Sequence, residues 1–222
     1  MSTGDVLTEA PAGAGGTRLI ALLRDAAAWR LLGRLFECPS ESWRADVTAL
    51  AAEVRDADLA GAAASALDEA SEGLYHSLFG PGGPAPPREV SYHDTLELGS
   101  VMSSLAGLYE AFGYRPALLE SPDHVAVEIG FVAFLRTKEA YAVMAGDAEH
   151  QAVAREAADG FQARHLANVA DRLAAHLVEA PVEYLRTASR VLARRVGPRP
   201  GPKLLPVIQP PIDDGAEFAC DA

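Results

Sequence analysis

The chain has 222 residues, 49% of them hydrophobic and 23% charged, which is the composition of a globular protein with a core of its own. Its 31 acidic residues against 19 basic ones leave a net charge of −12, which argues against a general nucleic-acid binder and favours cationic partners such as basic peptide segments. Two cysteines, Cys38 and Cys220, form no metal-binding spacing and fit a reducing compartment, and no stretch is apolar enough for a signal sequence or a membrane span.

Residues 1–16 are small and polar and predict a disordered arm. From Thr17 apolar residues recur at threes and fours through Leu22, Ala26, Trp29, Leu32 and Phe36, so the first helix is expected to stop before Cys38. Ser40 is the expected cap of a second helix carrying Trp43, Val47, Leu50 and Val54 inward, and an alanine-rich third helix is expected from about Asp58 to Phe79. The segment GPGGPAPPREVSYH, residues 80–93, breaks the helical pattern with a loop over the scaffold. A helix from about Asp94 to Phe112 follows, ended by Gly113, and then the connector YRPALLE.

The next helix is expected to open with Ser121 as its cap and Pro122 in its first turn, and to run to about Ala145. Asp123 then sits at the positive end of the helix dipole, where a carboxylate is stabilising. His124 has no such explanation, and its pKa is expected to fall unless Glu120 or Glu128 holds a proton on it. His124 and Glu128 are four residues apart and share a helical face, inside a run so apolar that the helix must be buried. Residues 148–179 continue as helix with Gly160 as a weak point, and Pro181 opens a last helix that ends at Gly197. Residues 198–222 read as a proline-rich, acidic tail. The whole is a single all-α, multi-helix domain over residues 17–197, without strand alternation or internal repeat.

Catalytic and metal chemistry find little support. There is no GxSxG, no Walker or GxGxxG motif, and the glycines at 80–83 run into prolines that have no amide to offer a phosphate. His124 and Glu128 have ligand spacing, but two ligands are not a site, and recruiting His93, His150 or His165 has no support in the spacing. His165, on the stripe Phe161, Leu166, Val169, Leu173, fits a core or boundary position. A metal- or nucleotide-binding helical protein and a helical adaptor remain as alternatives.

Three segments resemble the TorD/DmsD family of cytoplasmic chaperones for molybdoenzymes. They are YHSLFGP with Tyr75, Leu78, Phe79, Gly80 and Pro81; ESPDHVAVEIGFVAFL with Glu120, Pro122, Asp123, His124, Glu128 and Phe131; and FQARHL with Phe161, His165 and Leu166. The resemblance implies an all-helical, non-enzymatic protein without a cofactor of its own, monomeric or a homodimer. It implies a partner, the catalytic subunit of a molybdopterin-containing oxidoreductase. The chaperone binds that subunit's twin-arginine leader and apoprotein, assisting cofactor insertion and delaying export. It carries leader binding onto Asp123 and His124, and the groove onto Leu78, Phe79, Gly80, Pro81 and Tyr92. Glu120, Glu128 and Glu89 are further acids suited to arginines, and alanine at Asp123 or His124 is expected to weaken binding without loss of fold. PPREVSYH departs from the family pattern, as does Gly130, which stands where relatives carry a bulkier apolar residue.

Overall fold

A computed structural model of the chain describes residues 14–93 and 98–198, and these form an all-α domain. The helices are α1 (Ala14–Leu35), α2 (Trp43–Glu53), α3 (Ala57–Glu69), α4 (Glu72–Phe79), α5 (Leu98–Phe112), α6 (Val125–Ala145), α7 (Ala148–Phe161), α8 (Ala167–Leu177) and α9 (Glu183–Val196). A 3-10 turn spans Glu89–Tyr92, and a π-helical turn, Gln162–Leu166, joins α7 to α8.

Helix α6 is the axis of the domain. Val125, Val127, Ile129, Phe131, Val132 and Leu135 have no exposed surface, so it is buried on nearly every side. Its main partner is α1, which runs antiparallel to it: Gly33 lies against Ile129 and the backbone of Ala126, while Asp25 pairs with Arg136. Arg136 also reaches Glu139 at 3.0 Å and Asp159 at 2.6 Å, tying α1, α6 and α7 together. On the other side of α1, helices α2 and α3 pack in sequence, α9 lies on α3, and α8 on α9.

The end signals explain most boundaries. Asp56 caps α3 by accepting from the amides of Asp58 and Leu59, Ser71 caps α4 and Asp147 caps α7. Ser71 also explains why the expected third helix is two. Ala70 and Ser71 are extended, and the serine hydroxyl accepts the Leu74 amide, offering the backbone a fresh start. Three other starts differ. α1 begins at Ala14, within the expected arm, whose first 13 residues lie outside the described set. α2 begins after Ser42 rather than Ser40, and Pro181 precedes α9 by two residues, with Val182 between. The start expected at Asp94 and the tail from 199 also lie outside the described residues.

Candidate functional site

The largest correction falls at the head of α6. The N-cap is His124, whose Nδ1 accepts the Ala126 amide at 3.1 Å. Ser121 and Pro122 precede the helix, and Asp123 lies outside its first turn. The physical reason is the loop 85–93, which lays extended backbone against this segment. Glu89 N–H donates to the Asp123 carbonyl and Val125 N–H to the Pro87 carbonyl, both at 2.8 Å, making a single antiparallel bridge between Arg88 and His124. With Asp123 in a turn and His124 extended, neither residue can belong to the first turn of the helix.

Asp123 is fully buried. Its carboxylate accepts from Arg88 Nε at 2.9 Å and from the Ser121 hydroxyl at 2.5 Å. His124, 2% exposed, spends both ring nitrogens internally. Because Nδ1 is the cap acceptor, the ring hydrogen belongs on Nε2, which meets the Tyr75 hydroxyl at 3.1 Å. Tyr75 then donates to Glu120 at 3.3 Å. Burial drives the His124 pKa down and outweighs the raising influence of Glu120 and Asp123, so the ring is neutral. Burial and the Glu120 charge raise the Tyr75 pKa, which keeps its proton on as well. The outcome is a relay from a helix cap to an exposed carboxylate at the surface.

Glu128 does not pair with His124. It has no exposed surface, and no N–H or O–H donor reaches either of its oxygens. What it meets is the carboxyl group of Glu89. Glu89, 1% exposed, already accepts from His165 Nδ1 at 2.9 Å, from Asn168 Nδ2 at 2.7 Å and from His93 Nε2 at 3.1 Å. Burial alone raises the Glu89 pKa, but those hydrogen bonds outweigh it and hold the group below the usual carboxylate range. Burial, then the charges of Glu89 and Asp123, push Glu128 well above that range. Two facing carboxyls bond only if one is protonated, and the proton therefore sits on Glu128.

The third motif meets the second here. The π-helical turn carries His165 onto Glu89, while Phe161 stacks near His165 and packs edge-on against Phe131, each with centroids 4.8 Å apart. Leu166 is buried in the core. Glu89 is therefore consumed internally and has no face for an external arginine. Tyr92 is buried with its hydroxyl on the Pro86 carbonyl, and Leu78 and Phe79 are buried as well. Gly80 follows α4 where a Cβ would lie 2.4 Å from the His76 carbonyl oxygen, so this turn requires glycine. Pro81, next to it, is exposed. Gly130 leaves no empty space: a Cβ there would stand 2.6 Å from the Tyr114 hydroxyl, which donates to the Val127 carbonyl.

Several contributors carry no local signal in the sequence. Arg88, Asn168 and Tyr114 are ordinary residues in their own segments, and only the tertiary fold brings them to the cluster, while Ser121, expected as a cap, bonds the Asp123 carboxylate two residues on. Beside it, the connector 113–118 closes an apolar groove of about 580 Å³ between α1 and α6, lined by Leu118, Tyr114, Phe134 and Leu23 among others. Among the described residues, no three His, Cys, Asp or Glu side chains are grouped to hold a metal ion. No described helix is long and apolar enough to cross a membrane.

Fold and site together define an all-helical protein whose polar cluster is locked by internal hydrogen bonds beside an open apolar groove. The chain belongs to the nitrate reductase delta subunit family, whose model matches residues 40–175, more than half of its length. That is a family of molybdoenzyme maturation chaperones, acting with nitrate reductase-type subunits. No curated protein and no solved structure matches the chain.

Proposed function

We propose that this protein is a cytoplasmic chaperone of the TorD/DmsD kind. It binds the twin-arginine leader and the apo form of a molybdopterin-containing oxidoreductase subunit, assists cofactor insertion and delays export. The carrying observation is the relay from His124 through Tyr75 to Glu120, which ends in an exposed carboxylate two residues along the chain from Leu118, a residue that lines the apolar groove. A leader presents guanidinium groups followed by an apolar segment. Glu120 accepts the first in a charge-assisted pair, and the groove between α1 and α6 takes the second in the manner of helix-in-groove recognition.

On this reading the motif residues divide into two kinds. Glu120 and Pro81 face outward and contact the leader, with Gly80 shaping the turn beneath. Asp123, His124, Glu128, Leu78, Phe79 and Tyr92 are positioning residues, since their polar atoms and surfaces are already engaged. Alanine at His124 removes a helix cap worth about 1 kcal/mol, and alanine at Asp123 breaks a buried pair, so neither change is neutral for folding.

Glu120→Gln is the cleaner probe, because the side chain is exposed. Calorimetry of the full chain with a twin-arginine leader peptide is expected to show several-fold weaker binding for this variant, with an unchanged melting temperature. A wild-type chain that binds no twin-arginine leader encoded in its own genome would overturn the proposal.

A further inference from the structure

We propose that Ser104 is a base-activated hydroxyl, a site that takes an acyl group from an activated ester, with His165 as its base and Glu89 as the group that orients the base. The inference is independent of the leader reading.

Ser104 lies in the middle of α5 and is exposed. A hydroxyl inside a helix usually turns back to a carbonyl of its own helix, as those of Thr48, Ser77, Thr137 and Ser189 do. Ser104 Oγ instead meets His165 Nε2 at 3.3 Å, 61 residues along the chain. The other ring nitrogen, Nδ1, stands 2.9 Å from Glu89 Oε2. Serine, histidine and acid thus fall in line, with the acid buried and the serine at the surface.

The tautomer follows from the acid. Glu89 accepts from Asn168 and His93 and is held below the usual carboxylate range, so it is ionised and Nδ1 carries the hydrogen that bonds it. The neutral ring then presents its lone pair at Nε2, where the Ser104 hydroxyl donates. Phe161 lies against the ring with centroids 4.8 Å apart and holds it in this orientation. In the turn that carries His165 the Ala167 amide reaches back five residues to the Gln162 carbonyl, an irregularity of the kind that concentrates at functional positions. At 3.3 Å the serine–histidine contact is as loose as such pairs are before a substrate arrives. Access is open: among the described residues a Cβ at Gly107, one turn from Ser104, would meet nothing within 4 Å, and Ser100, one turn the other way, is exposed.

In the reaction Ser104 Oγ bonds the acyl carbon and its proton passes to His165 Nε2. The bond from that carbon to the aryl oxide or thiolate breaks, and the leaving group departs with the electron pair. The α5 amides beside Ser104 are committed to the helix's own ladder, so they supply no oxyanion hole. A good leaving group is therefore required for acylation, and the alkyl ester formed on Ser104 lacks one for hydrolysis. The expected chemistry is a single lasting acylation.

The test treats the full chain with p-nitrophenyl acetate and locates acetyl groups over time by peptide mass spectrometry. Ser104 is expected to acetylate about a hundredfold faster than Ser100 and Ser103, exposed hydroxyls of the same helix, which is the factor a positioned general base contributes. Concentrated urea, which separates Ser104 from His165, erases the difference. His165→Gln brings Ser104 down to the rate of its neighbours, and Glu89→Gln, which loosens the hold on Nδ1, slows Ser104 alone. Circular dichroism checks the fold of both variants; if neither folds, the urea comparison decides. Ser104 no faster than Ser100 and Ser103 in the folded chain, or an advantage that survives urea or a folded His165→Gln, overturns the inference.

Discussion

At the scale of single residues the most consequential group is Glu128, a fully buried acid whose carboxyl faces that of Glu89. Below about pH 4.3 the proton is bound in both native and unfolded chains, and the group does not affect stability. Above it the unfolded chain releases the proton while the native one keeps it. Stability then falls as pH rises, by up to about 1.4 kcal/mol per pH unit, until the native group ionises too. Glu128→Gln keeps a donor toward Glu89 and removes the titration. Its melting temperature is expected to match wild type at about pH 4 and to exceed it at about pH 9. Difference melts across that range check this, and parallel profiles for the two proteins would sink the assignment of the proton. Glu89 works in the opposite direction: its depressed pKa contributes stability above the unfolded carboxylate value, lost as pH falls through the native one.

The sequence placed both acids in play but not their relation. A spacing of four points to a His124–Glu128 pair only if both belong to the helix, and His124 is its cap. The expected downward drift of the His124 pKa does hold, through burial. The partner that Glu128 does find comes from a loop more than thirty residues earlier, beyond the reach of any local periodicity.

Among the elements, the close approach of the connector to α6 depends on one glycine. Alanine is ordinarily better than glycine inside a helix by about 1 kcal/mol. At position 130 the added carbon meets the Tyr114 hydroxyl, and the connector must move. Gly130→Ala is therefore expected to lower the melting temperature, and Tyr114→Phe, which removes the obstructing oxygen, to lower it less in the alanine background than in wild type. A double-mutant cycle by thermal melts measures the coupling, and strictly additive effects would count against this contact. The glycine leaves no gap, because the space beside it is taken by Tyr114. The α-helices were legible because the 3.6-residue period is local, whereas the 3-10 turn at Glu89–Tyr92 and the π-helical turn at Gln162–Leu166 carry no such period. The boundaries that differed did so where a tertiary contact or a competing cap set them, as at Ser71 and at the Arg88–His124 bridge.

For the whole molecule, a charge of −12 sets two salt effects of opposite sign. Screening removes attraction for a cationic leader, so affinity is expected to fall several-fold between about 50 and 500 mM NaCl. The same screening relieves self-repulsion, and the melting temperature is expected to hold or rise. Titrations and melts in one salt series separate binding electrostatics from loss of fold, and a falling melting temperature would refute this account.

The bonds from His165 and Asn168 to Glu89 bridge 76 and 79 residues of chain. A ribosome adding about 5–20 residues per second needs roughly 4–16 seconds to pass from the loop to the residues that anchor it. During that interval Glu89 lacks two of its donors, and the loop is held to the head of α6 from one side, by its bonds to Asp123 and Val125. The polar cluster at the head of α6 is thus completed only once the start of α8 has emerged, late in synthesis.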